Sequence, residues 1–183
     1  MDEENIEKYP AIVVFPQCPK ESYWAQVDVD RTVSPRIFDF HYSQGLTKPL
    51  QLTLDLVVEM AEESYIDKER LYVMGLSMGG MGTFQAVFAR PDLFAAAAPI
   101  CGAADVQAYG AAQSDVPFWI FHGDADNVVS VQHSRDMQQR LLALDAYASY
   151  TEYYGVGHGS WNNTFAEPNF LNWMFSQKNR KLK

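Results

Sequence analysis

Apolar positions along this chain follow two rhythms. Short runs rich in aliphatic and aromatic residues occupy 11–15 (Ala11-Ile12-Val13-Val14-Phe15), 71–74 and 116–121, and each reads as a strand buried in a sheet. The β-branched and aromatic stretch 148–154 reads as another. The alanine-rich stretch 94–100 follows Pro91-Asp92, a position that predicts a further buried strand. Between these runs the period changes. Leu50, Leu54, Val57, Val58 and Ala61 recur at helical spacing and predict an amphipathic helix over 47–64. Residues 81–90 read as a helix stopped by Pro91. Met137, Leu141 and Leu144 share one face of a helix over 130–144. Pro168 predicts the first turn of a last helix over 169–178. Strands alternating with helices imply an α/β protein: a mostly parallel sheet, flanked by helices on both faces and joined by right-handed crossovers. Residues 21–44 are the least regular part, and most of their aromatics are expected to pack on the body of the fold. No repeat or low-complexity tract divides the chain, so 1–183 reads as a single domain.

The strand-to-helix step at 71–90 carries the most chemistry. It contains Gly75-Leu76-Ser77-Met78-Gly79-Gly80, a G-x-S-x-G pattern. In this setting the pattern describes a nucleophile elbow, a turn so sharp that its serine is held in a strained backbone conformation. Gly75 and Gly79 would let strand and helix approach on either side. The same glycines also suit a plain tight turn or a phosphate cradle. No Gly-Lys-Ser/Thr and no G-x-G-x-x-G supports the phosphate reading.

Two later strands end in the residues such a serine needs. The run at 116–121 leads into His122-Gly123-Asp124-Ala125-Asp126, and the one at 148–154 into Gly155-Val156-Gly157-His158-Gly159-Ser160-Trp161. Loops that follow parallel strands gather along one sheet edge, so Ser77, an aspartate and His158 can converge there. A serine hydroxyl is a weak nucleophile at neutral pH. His158 would take its proton and return it to the leaving group, while an aspartate fixes the imidazole tautomer. Spacing alone does not choose between Asp124 and Asp126, and either also suits a cap on the helix near Ser130.

Several motifs together resemble the phospholipase/carboxylesterase group of the α/β-hydrolase superfamily, close to feruloyl esterases and dienelactone-hydrolase-like proteins. They are Phe15-Pro16-Gln17-Cys18-Pro19, the elbow, Pro91-Asp92-Leu93-Phe94, Pro99-Ile100-Cys101-Gly102, Phe121-His122-Gly123-x-x-Asp126-x-x-Val129 and His158-x-x-Trp161. The resemblance runs from about Pro10 to the end of the chain. It implies an α/β-hydrolase-type sheet and a Ser77, Asp126, His158 triad, with the acid at the later aspartate. It also implies an oxyanion donor from the Met78 backbone N–H. The implied activity is hydrolysis of short acyl or aryl carboxylic esters, feruloyl or acetyl esters of plant polysaccharides among them, without a cofactor. A peptidase of the same fold is the alternative. Trp24 and Trp161 are the candidate substrate contacts.

One departure stands out. The family carries, before the strand matched at 11–15, an earlier strand ending in a His-Gly-x-Gly loop that gives the second oxyanion donor. Nothing in this chain matches it, so the second donor is unassigned. Losing one such donor costs a hydrolase about two to three orders of magnitude. The expectation is therefore an N-terminally shortened sheet, and either its open apolar edge pairs with a second copy of the chain or the chain is a shortened form of a longer gene product. The alternative is a low-activity chain serving as a binding or assembly module.

Composition narrows the partners. A hydrophobic content of 48% in 183 residues supports a packed core. A net charge of −9 disfavours nucleic acid. No apolar run is long enough for a membrane helix, and no signal peptide is visible, which leaves the compartment open. Cys18 and Cys101 are expected as buried free thiols. The four histidines lack metal-ligand spacing, so no metal site is expected.

Overall fold

The structure is a computed structural model that describes residues 3–179 and 181. Its centre is a four-stranded parallel sheet built from β3 (Tyr72–Leu76), β4 (Ala96–Ile100), β5 (Phe118–Gly123) and β6 (Ala148–Tyr153), in that spatial order. Three helices alternate with these strands: α2 (Lys48–Ala61), α3 (Met78–Ala89) and α4 (Gln132–Ala143). Two short helices, α5 (Trp161–Phe165) and α6 (Phe170–Ser176), close the chain.

The sheet is covered on both faces, and the period of two in its strands assigns residues to each. Ala97, Phe118 and Ile120 face α2, α3 and α4, joining Leu50, Leu54, Phe84, Val87, Met137 and Leu141 in the larger core. Their neighbours Ala98, Ile100 and Phe121 face the other way, against Phe170 and Met174 of α6. Helix α3 is buried all round from Gly80 to Val87, which fits a helix held between the sheet and another layer. A Cβ on Gly80 would lie 2.8 Å from the Ile100 carbonyl oxygen, so helix and strand touch through bare backbone.

Residues 21–44 are more ordered than expected. They form an antiparallel pair, β1 (Val27–Asp30) and β2 (Ile37–Phe40), with Val27 opposite Phe40. Phe38 and Ala25 pack on Met81 and Val129, as anticipated for the aromatics here. Buried Gln85 fastens this region to α3: its side-chain oxygen accepts from the Gln26 N–H at 2.7 Å, and its amide donates to the Gly45 carbonyl at 3.0 Å. At the start of the described chain, α1 (Glu3–Lys8) is a short helix.

Two element assignments need correction. Residues 11–15 form no strand; Ile12 is 57% exposed and Phe15 88% exposed. Apolar composition alone does not make a strand. The ladder of hydrogen bonds does, and among the described residues β3 is paired only with β4. Pro168 does not open the last helix. Asn169 is its N-cap, and the separate helix α5 lies ahead of Pro168.

Candidate active site

The sharp turn between β3 and α3 fixes Ser77. Its φ is 54° and ψ −116°, a strained conformation for a side-chain-bearing residue. The turn holds because its N–H donates to the Ile100 carbonyl at 2.8 Å while its own carbonyl accepts from Met81 at 3.1 Å. Gly75 makes the bend possible, since a Cβ there would fall 2.3 Å from the Gly79 carbonyl oxygen. Gly79 does not share that role: a Cβ on it would meet nothing within 4 Å. Met78 is the first residue of α3, where backbone N–H groups have no acceptor inside the helix and the dipole is positive.

His158 lies opposite, in the loop after β6. Its Nε2 is 2.8 Å from the Ser77 Oγ, and its Nδ1 is 2.7 Å from the Asp126 Oδ2. The imidazole is one-fifth exposed, and the Trp161 ring meets it edge-on with centroids 5.6 Å apart. The histidine and acid loops approach this closely because of Gly123, whose missing Cβ would stand 2.1 Å from the Val156 carbonyl oxygen.

Asp126, rather than Asp124, faces the imidazole. The Asp124 carboxylate instead accepts from the Gly155 N–H at 2.6 Å, tying the acid loop to the histidine loop. The Asp126 side chain is fully enclosed and uses both oxygens. Oδ1 accepts from the backbone N–H groups of Val128 at 2.8 Å and Val129 at 3.0 Å, while Oδ2 faces His158 and His122. Turn-former and histidine partner are thus one side chain. Burial alone would raise its pKa. Hydrogen bonds from His122, His158 and the two amides outweigh that and hold it well below the usual carboxylate range.

Cys101 is the neighbour that sequence reasoning missed. It is buried at the C-terminal end of β4 with φ 41°, and burial pushes its thiol up to about 12. It offers a ligand atom within 4.8 Å of those of Asp126 and His158. The thiol holds its proton, and the other two groups are already bonded to each other, so this cluster is poorly prepared to grip a cation. Both cysteines are free and buried, as expected.

The two tryptophans part company. Trp161 lies against His158. Trp24 packs over α3, where its Cβ would be 2.7 Å from a Cβ added to Gly82. It lines a 450 Å³ pocket with Pro16, Gln17, Leu52 and Leu56, beside α2.

This geometry can be set beside known proteins. A bifunctional acetylxylan esterase/xylanase, XynS20E of Neocallimastix patriciarum, is 37% identical over 86 residues, which is 47% of this chain and 13% of that protein. The crystal structure of a thermostable esterase superposes with a TM-score of 0.77 at 36% identity, over 88% of this chain and 43% of the esterase. The chain has the α/β-hydrolase fold. A model of the prolyl oligopeptidase family matches residues 53–119, from α2 through the elbow into β5. The α/β-hydrolase fold also returns in a variant of SOBER1 from Arabidopsis thaliana, with a TM-score of 0.62 at 18% identity over 88% of this chain and 74% of that one. The chain spans less than half the length of the acetylxylan esterase/xylanase and of the thermostable esterase.

Proposed function

We propose that the chain hydrolyses carboxylic esters through an acyl-enzyme on Ser77. The observation that carries this reading is the unbroken line from the Ser77 Oγ through both nitrogens of His158 to the Asp126 carboxylate, with gaps of 2.8 and 2.7 Å. The Ser77 oxygen attacks the ester carbonyl carbon as its proton passes to the His158 Nε2. Asp126 accepts from the Nδ1–H and stabilises the imidazolium. The Met78 N–H steadies the oxyanion. His158 then protonates the departing alcohol, leaving the acyl group on Ser77. Water repeats the sequence, giving up a proton to His158 and releasing the acid. No step calls for a cofactor.

Short acyl or aryl esters are the proposed substrates. Acetyl groups on plant polysaccharides lead, because the sequence relative over 47% of the chain is named for acetylxylan esterase activity; feruloyl esters stay a second choice. A peptidase reading is favoured by the match to the prolyl oligopeptidase family. Turnover of p-nitrophenyl acetate against a peptide anilide separates the two, and the ester is expected to win. An organophosphonate should label Ser77, and Ser77→Ala should abolish both labelling and turnover. Turnover persisting in Ser77→Ala removes this serine from the mechanism.

A further inference from the structure

Beyond the three residues already assigned, a second histidine, this one buried, touches the acid. His122 on β5 is fully buried, and so is Ser134 on α4. Phe121 points toward α6, so the alternation of the strand sends the next side chain, His122, toward α4. There its Nδ1 lies 2.7 Å from the Ser134 Oγ. Its Nε2 lies 3.0 Å from the Val129 carbonyl oxygen and 3.2 Å from the Asp126 Oδ2.

These partners fix the proton. The Val129 carbonyl and the Asp126 carboxylate only accept, so the Nε2 must carry hydrogen. The neutral ring then has a lone pair on Nδ1, which takes the hydrogen of the Ser134 hydroxyl. In the other tautomer the Nε2 lone pair would face two acceptors in a dry site, an arrangement with no stabilising contact. The same Asp126 oxygen that accepts from His158 therefore receives a second donor whose orientation is set from α4. With Oδ1 held by the Val128 and Val129 amides, the carboxylate cannot rotate without losing a buried bond.

We infer that His122, held in its Nε2–H tautomer by the Val129 carbonyl and the Asp126 carboxylate and seated on Ser134, is a positioning residue that aims the Asp126 carboxylate at His158. This rests on the proposed hydrolase reading for its effect on rate, though not for its geometry. His122 touches neither substrate nor reacting atoms; it acts through Asp126.

The experiment pairs two variants with opposite halves of the imidazole. In His122→Gln the amide nitrogen occupies roughly the Nε2 position and keeps a donor toward Asp126. In His122→Asn the shorter side chain reaches Ser134 but not the carboxylate. With p-nitrophenyl acetate, His122→Asn should lower kcat about ten- to a hundred-fold, the range for one hydrogen bond to a charged group, with KM unchanged. His122→Gln should recover most of that loss. Nitrogen NMR of labelled histidines reads the geometry without turnover. His122 should be the neutral Nε2–H form, Ser134→Ala should keep that form while shifting the Nδ1 signal, and the His158 Nδ1–H signal should move in His122→Asn more than in His122→Gln. A different His122 tautomer in the unaltered protein overturns the inference. So does a His158 signal indifferent to both variants, or an equal loss of kcat in both that tracks a lowered melting temperature. Inactivity of the unaltered protein, with the expected NMR pattern intact, would instead sink the hydrolase reading alone.

Discussion

The Asp126 carboxylate shows how much one side chain is asked to do at this site. It closes its own turn through Oδ1 and receives two histidines through Oδ2. Asp126→Asn preserves the size of the side chain but puts an amide where both histidines need an acceptor. By the precedent of serine hydrolases, kcat should fall about 10⁴-fold while the fold survives, read from steady-state kinetics alongside circular dichroism. The same carboxylate also couples stability to pH. Its folded pKa is depressed, so its stabilising contribution is complete above the unfolded value of about 4 and is lost as pH falls below that value. The melting-temperature gap between the unaltered protein and Asp126→Asn should be widest above about pH 5 and shrink as pH falls below 4. A gap constant across that range would mean the hydrogen bonds into the carboxylate contribute little. The sequence made the three residue types visible because each follows a strand. It did not separate Asp124 from Asp126 by spacing, because the choice depends on which way the turn winds. His122 and Cys101 were hidden for a related reason. Both stand inside motifs that carry the family resemblance, but their chemistry comes from what packs on them, which spacing along the chain does not reveal.

At the scale of elements, glycines decide which loops meet. Gly123 and Gly75 each allow a backbone approach that a methyl group would block, at 2.1 and 2.3 Å. Gly123→Ala must separate the acid loop from the histidine loop, so it should lower kcat and melting temperature together, with a stability loss of about 1–3 kcal/mol as for overpacking. Gly79→Ala is the contrast. Its site in the first turn of α3 is open and helical, so the substitution should be neutral or add up to about 1 kcal/mol in a denaturant melt. Equal losses at the two positions would mean that local crowding does not govern this rim. The central strands and helices were legible because burial against a layer imposes a period. The strand pair β1–β2 was not foreseen, although Val27-Asp28-Val29-Asp30 alternates in and out. Four residues are too few to stand out against a loop rich in charges and aromatics. The run at 11–15 failed in the opposite direction. Its composition suits a strand, but a strand is a relation between neighbours, and the described residues give it none.

For the molecule as a whole, the consequence is an unpaired sheet edge. Among the described residues β3 bonds to β4 on one side only, and Tyr72-Val73-Met74-Gly75-Leu76 carries no charged residue to discourage pairing on the other. Met74 is 41% exposed and Leu76 40% exposed. Tyr9 and Tyr72 both contact the ring of Phe175, at 5.0 and 5.3 Å, so the chain that leads into the exposed run at 11–15 starts beside this edge. Exposed apolar side chains next to unpaired backbone favour strand addition, and a second copy of the chain supplies an identical edge that can pair antiparallel about a twofold axis. Light scattering should therefore show association that grows with concentration. Met74→Lys places a charge where an added strand would cover it, and should return the protein to a monomer. Its unfolding free energy at low concentration should stay within about 0.5 kcal/mol of the unaltered protein, because that side chain is exposed. Ester turnover per chain should also hold in the variant, since Ser77, His158 and Asp126 are all supplied by one chain. If the unaltered protein remains monomeric at every concentration, this edge is not a pairing surface. If Met74→Lys associates as strongly as the unaltered protein, the contact lies elsewhere.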